Sequence, residues 1–76
     1  MTKKEAIVNV LNEHSCLTCF EIKGFVKRKY DMDITPQSVG GTLRPLVSAG
    51  MVGKSTNVSN KMVYWLTDYG KEHLFK

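Results

Sequence analysis

The chain has 76 residues, of which 42% are hydrophobic and 24% charged, a size that suits one domain over residues 1–76 with one modest core. Eleven Lys and Arg against seven Asp and Glu give a formal net charge of +4, which favours a polyanionic partner. The longest apolar run, 62–66, is too short to cross a bilayer, and the N-terminus lacks a secretory signal. We therefore expect a soluble, cytoplasmic protein.

The first predicted element is a helix over about residues 3–14. Thr2 and Glu5 have the spacing of a capping box, in which each side chain bonds the backbone N–H of the other residue. Apolar residues then recur at steps of three and four, which places them on one face of a helix. The predicted buried face carries Ile7, Val10, Leu11 and His14.

A second helix is predicted after a short extended segment, "SCLT". Thr18 and Glu21 repeat the capping-box spacing and mark its start. Its predicted buried stripe carries Ile22, Phe25, Val26 and Tyr30. On a helical wheel, Lys23 and Lys27 lie beside this stripe, one turn apart, so the helix has a basic flank.

A third helix is predicted over about residues 36–49. Thr35 is a typical N-cap, Pro36 suits the first helical position, and Gly50 stands where a left-handed C-terminal cap is usual. The predicted buried face carries Val39, Leu43, Leu46 and Val47.

This third helix contains three residues that disfavour a helix, Gly40, Gly41 and Pro45. Gly40 lies near the packing edge, where it would let the helix approach helix 2 closely. Gly41 and Pro45 lie one turn apart on the outer face, and two hypotheses explain them. The pair accommodates a bend caused by the proline, or the bare surface presses against a duplex groove.

The remaining elements are a β-hairpin and a short helix. The segments 51–57 and 62–67 are rich in strand-forming residues and are separated by Val58, Ser59, Asn60 and Lys61. After them, Asp68 is expected to cap a helix that ends near Phe75.

This order of elements resembles the winged helix-turn-helix domain, an α+β fold of three helices and a β-hairpin wing. The segment "TPQSVGGTLRPLVSAGMV" resembles the recognition helix and first wing strand of bacterial and phage regulators. The segment "YWLTDYG" resembles the last wing strand and the following "LT..G" of multiple-antibiotic-resistance-type regulators. The resemblance implies a transcriptional regulator that binds double-stranded DNA, with helix 3 in the major groove and helix 2 and the wing on the backbone.

The resemblance also indicates which residues contact DNA. Arginine pairs with guanine and glutamine with adenine, whereas serine and lysine suit phosphates. The expected contacts on helix 3 are Gln37, Ser38, Gly41, Thr42, Arg44 and Ser48, and those on helix 2 and the wing are Lys23, Lys27, Lys54 and Lys61.

An alternative hypothesis is a protein-interaction module that uses the wing. Strand alternation places Val63 and Trp65 on one face, where they form an exposed patch unless helix 4 or helix 1 covers the indole. Related regulators usually dimerise through additional terminal helices, and this chain has one short helix there. We therefore expect a monomer or a weak homodimer.

Catalysis and metal binding are not expected. Cys16 and Cys19 form a C-x-x-C pair, with His14 and His73 elsewhere in the chain, but a structural zinc site normally shows two ligand pairs. We interpret the cysteines as partly buried thiols. The sequence shows no nucleophile with a supporting base and no phosphate-binding loop, so we expect no enzyme activity and no cofactor.

Overall fold

The computed structural model describes residues 1–75. They form four helices and a two-stranded antiparallel sheet: α1 Lys3–Glu13, α2 Cys19–Tyr30, α3 Pro36–Ser48, β1 Val52–Thr56, β2 Met62–Leu66 and α4 Asp68–Leu74. This confirms the predicted α+β architecture of three helices, a hairpin wing and a short C-terminal helix. Among the helices of this described part, none is long and apolar enough to cross a membrane.

Both predicted capping boxes are formed. The Glu5 backbone N–H donates to Thr2 Oγ1 at 3.1 Å, and the Thr2 N–H donates to Glu5 Oε1 at 3.0 Å. The equivalent bonds between Thr18 and Glu21 measure 3.2 and 2.9 Å. Each box satisfies a backbone donor that the first turn of a helix leaves without a partner, so local chemistry sets where α1 and α2 begin.

Replacing Thr18 with alanine is expected to lower the free energy of unfolding by about 1 kcal/mol, because the N-cap oxygen is lost. Urea denaturation followed by circular dichroism measures the change. Ser15→Ala, at an exposed bend before α2, is the control and should leave the unfolding midpoint in place. Equal midpoints for the two variants would contradict the capping assignment.

The core lies between α1, α2, α3 and one face of the hairpin. Its largest fully buried side chains are Ile7, Val10, Leu11, Ile22, Val26, Val39 and Leu43. His14 was predicted on the buried face of α1, and this is wrong. α1 ends at Glu13, and His14 is the exposed C-cap with extended backbone angles, its ring stacked on Phe25 at 4.2 Å between centroids.

The segment between α1 and α2 is extended only in part: Cys16 is left-handed, with φ of +59°, and Leu17 pairs with the sheet. The Leu17 N–H donates to the Tyr64 carbonyl at 3.0 Å, and the Tyr64 N–H donates to the Leu17 carbonyl at 2.8 Å. This pairing holds the N-terminus of α2 beside β2.

The wing has a defined register and an ordered tip. Lys54 pairs with Tyr64, and Thr56 pairs with Met62. At the tip, Asn57 Oδ1 accepts from the backbone N–H groups of Ser59 and Lys61 at 2.9 and 3.0 Å. The loop therefore has its own hydrogen bonds.

Trp65 is half-buried and lies over Gly53, its partner in the strand register. A Cβ atom at Gly53 would come within 2.3 Å of the Trp65 indole, so only glycine admits the ring there. Val63 is buried, with 8% of its surface exposed. Of the two possibilities for Val63 and Trp65, the exposed patch is therefore wrong: the indole is covered, and it rests on its own sheet.

Helix α4 docks on the junction between α3 and β1. The Thr67 hydroxyl donates to the Gly50 carbonyl at 2.8 Å and accepts from the Gly70 N–H at 3.0 Å. Thr67 is thus the N-cap, and the predicted cap, Asp68, is the first residue of the helix. Asp68 loses this role because Thr67 has the extended backbone that an N-cap requires. As predicted, Gly50 caps α3 in the left-handed conformation, with φ of +78°.

Candidate nucleic-acid interface

A groove of about 500 Å³ lies between α3 and the wing, and we call it the α3–wing groove. Five of the predicted contact residues line it: Gln37, Gly41, Arg44, Ser48 and Lys54. Three lining residues were not predicted: Gly40, Val47 and Tyr64. The structure therefore brings half of the predicted site into one concave surface.

Four of these residues form one stripe along α3. Gln37, Gly41, Arg44 and Ser48 follow at steps of four, three and four, the spacing of one helix face. On a helical wheel this stripe is opposite the buried residues Val39, Leu43 and Leu46. The stripe is exposed along its whole length.

The groove is cationic. Arg44 and Lys54 contribute its two charges, and none of its lining residues is acidic. Within residues 1–75, no ion pair includes either of these side chains. Both cations are exposed and available to an anionic partner.

The adjacent glycines of α3 have no packing function within residues 1–75. A Cβ atom built at Gly40 or Gly41 would meet no atom within 4 Å. The predicted close approach of α2 at Gly40 is therefore wrong, since the two helices pack through their buried apolar residues. The surface at Gly41 is likewise open, so an added side chain there would project into open space.

Tyr64 lies on β2, close to residues of both α2 and α3. Its ring is half-buried and lies beside the Cys19 side chain at the start of α2. Burial raises the pKa of Tyr64, Cys19 adds to the increase, and the charge of Arg44 acts in the opposite direction. Arg44 is thus close enough to Tyr64 to act on it electrostatically. Strand alternation alone did not show that Tyr64 faces α3, because that depends on the register with Lys54.

The remaining predicted residues lie outside this groove. Ser38 and Thr42 are half-buried on the flank of α3 away from the wing. Lys23 is half-buried on α2, and Lys61 is exposed at the wing tip.

Lys27 has acidic partners that the helical wheel did not reveal. Its ammonium group lies 3.0 Å from Asp31 and 3.3 Å from Asp33. The hydrogen bond to Asp31, followed by the one to Asp33, raises the pKa of Lys27. Two carboxylates offset its charge, so the basic flank of α2 is weaker than predicted.

A second groove, which we call the wing-tip groove, separates the start of α2 from the wing tip and measures about 690 Å³. Phe20 and Met62 line it and are 75% and 42% exposed, and Lys61 lies at its rim. Val58 is fully exposed on the tip. The exposed apolar surface of the wing is here and not at Trp65.

The cysteines and histidines do not come together. Both thiols are free; Cys19 is half-buried as predicted, but Cys16 is exposed, so the prediction of a partly buried thiol is wrong there. Burial raises the pKa of Cys19. His14 stacks on Phe25, and His73 packs against Tyr69. In the described range, 1–75, no three His, Cys, Asp or Glu side chains are grouped as metal ligands.

No protein-family model matches the sequence, and no curated protein sequence matches it. Solved structures do match. Bacillus subtilis PadR, determined in complex with operator DNA, is 25% identical with a TM-score of 0.77, and the match covers 93% of this chain and 44% of PadR. A transcriptional regulator of the MarR family from Silicibacter pomeroyi is 16% identical with a TM-score of 0.77, over 91% of this chain and 43% of that protein.

A third similar structure is F93 from STIV, a winged-helix DNA-binding protein. It is 16% identical with a TM-score of 0.75, over 96% of this chain and 80% of F93. The chain thus spans less than half of the PadR and MarR proteins and most of F93. With three helices, a paired wing and these matches, the chain has the winged helix-turn-helix fold.

Proposed function

We propose that this chain is the DNA-binding domain of a transcriptional regulator, and that it inserts α3 into the major groove of double-stranded DNA. The observation that carries the proposal is the α3–wing groove. Its exposed stripe has an arginine, a glutamine and a side-chain-free surface, and Lys54 lies on the opposite wall. PadR, which has the same fold, binds operator DNA.

The dimensions and chemistry of this surface suit a duplex. The major groove admits an α-helix, whose outward side chains then contact base edges. Arg44 and Gln37 are suited to guanine and adenine, while Lys54 and Ser48 suit phosphates on the adjoining strand. Lys61 at the wing tip and Lys23 on α2 extend the contact along the backbone.

The proposed mechanism is site occupancy without chemistry. Lys27, Ser38 and Thr42 complete the proposed contact surface at its edges. A single module of this kind binds with modest affinity. We propose a cytoplasmic monomer or weak homodimer that controls transcription by binding its site.

A second candidate function is protein binding through the wing-tip groove. Its support is the exposure of Phe20, Val58 and Met62, three apolar side chains near one end of the sheet. Lysines on α2 and the wing, together with the cationic α3–wing groove, favour DNA as the first candidate.

Titration of duplex DNA into the isotopically labelled chain tests the proposal. We expect amide shifts at Gln37, Gly41, Arg44 and Lys54, with affinity falling on the order of 10- to 100-fold between 50 and 200 mM salt for a few phosphate contacts. Nuclear magnetic resonance at several salt concentrations measures both quantities.

A pair of lysine variants provides the control. Lys54→Ala should reduce the salt dependence by about one phosphate contact. Lys71→Ala removes the same charge from the exposed face of α4 and should leave that dependence unchanged. Absence of DNA binding at the lowest salt would contradict the proposal and would favour the wing-tip groove as the functional surface.

A further inference from the structure

The α3 stripe also indicates which DNA the chain prefers. We infer that α3 recognises a half-site with an adenine facing Gln37 and a guanine facing Arg44, no more than about three base-pair steps apart. The base pairs between them lie against the bare backbone at Gly40 and Gly41. This inference rests on the proposed function, because it specifies the sequence class of the same partner.

The spacing follows from helix geometry. Gln37 and Arg44 are two turns apart on one exposed face of α3. Seven residues at 1.5 Å each separate their backbones by about 10 Å along the helix axis. Stacked base pairs rise about 3.4 Å each, and a helix that follows the major groove lies at an angle to the duplex axis, so this distance spans no more than about three steps.

Gln37 and Arg44, at the two ends of this part of the stripe, have different hydrogen-bonding groups. The Gln37 amide has a donor and an acceptor that match adenine, and the Arg44 guanidinium has parallel donors that match guanine. One well-placed pair of this kind discriminates against the wrong base by about 10-fold or more. The stripe carries no second cation within α3, so guanine preference is expected at one position only.

The α3 surface between Gln37 and Arg44 carries no side chain that projects outward. Residues 39 and 43 are buried, and residues 38 and 42 lie on the flank away from the wing. Only Gly40 and Gly41 remain between the ends, and a Cβ atom at either would meet open space. Because two adjacent glycines disfavour a helix, their presence without a packing partner points to close contact with an external surface.

Lys54 is suited to fix the position of α3 on the duplex by binding a phosphate. It lies on the far wall of the α3–wing groove, paired with Tyr64, whose backbone is bonded to Leu17. A phosphate bound by Lys54 positions α3 but carries no sequence information. Backbone and base contacts are therefore separable by substitution.

Selection from duplexes with randomised positions, followed by sequencing, tests the inference. The unaltered chain should enrich adenine and guanine at one fixed spacing of no more than about three steps. Gln37→Ala should lose the adenine preference only, and Arg44→Ala should lose the guanine preference only, each by about 10-fold. Lys54→Ala is the matched control, expected to weaken binding to all sequences while preserving both preferences.

Circular dichroism confirms that each variant is folded before selection. If the chain binds DNA with no base preference, with a wider spacing, or with preferences that Gln37→Ala and Arg44→Ala leave intact, the inference is overturned and the proposed function stands. If no duplex binds at low salt, the proposed function fails together with the inference.

Discussion

Gly70→Ala is expected to lower the free energy of unfolding by about 3 kcal/mol. This value is at the upper end of the usual cost of inserting an extra carbon atom into a packed interior. An added Cβ atom would lie 2.1 Å from the Met51 carbonyl oxygen. That carbonyl accepts the Thr67 N–H at 3.1 Å, and the Met51 N–H is bonded to Leu46 at 2.9 Å. Because both the N–H and the carbonyl of Met51 are hydrogen-bonded, its backbone cannot move aside as a flexible side chain could. We therefore expect α4 to detach from the junction between α3 and β1.

Urea denaturation with circular dichroism measures this loss. Gly24→Ala is the matched control, because Gly24 is also helical and an added Cβ atom meets nothing within 4 Å. The control is expected to raise the free energy of unfolding by up to about 1 kcal/mol through helix propensity. If the two variants were equally stable, the close approach of α4 to Met51 would be refuted.

Gly41→Ala is expected to separate stability from DNA binding. The methyl group meets open space within the protein, so the free energy of unfolding should rise by up to about 1 kcal/mol. On the outer stripe the same methyl group keeps α3 away from the base edges. We expect DNA affinity to fall on the order of 10-fold, as for overpacking in a tight interface.

Fluorescence anisotropy with labelled duplex and thermal melting of the free protein measure the two effects. Gly24→Ala again serves as the control, since it should gain stability without losing affinity. A Gly41→Ala protein that is more stable and binds DNA equally well would show that the bare surface does not contact the duplex. Loss of both properties would point to a packing function for Gly41.

The helices of this chain were predictable because their signals are local. Thr2, Thr18 and Thr35 each bond a backbone group three residues ahead, and the structure confirms all three caps. The apolar spacing of α3 likewise placed Gln37 and Arg44 on one outer face, because helix geometry alone decides which residues share a face.

The error at His14 is local, because it concerns the last turn of α1, whereas other errors arose where residues distant in the sequence meet. Thr67 replaces Asp68 as a cap while its hydroxyl also bonds Gly50, seventeen residues earlier. The Trp65 indole packs on Gly53, and this contact depends on the strand register that pairs the two residues. No pattern within either segment contains that information.

The sequence pattern was sufficient for the helix-turn-helix order, the excess of basic charge and the outer stripe of α3, since each depends on composition or on neighbours within a few residues. Tertiary structure decided that Lys54 and Tyr64 face this stripe and that Gly41 borders open space. These facts depend on how separate elements dock, and docking is set by strand register and by backbone contacts between distant residues.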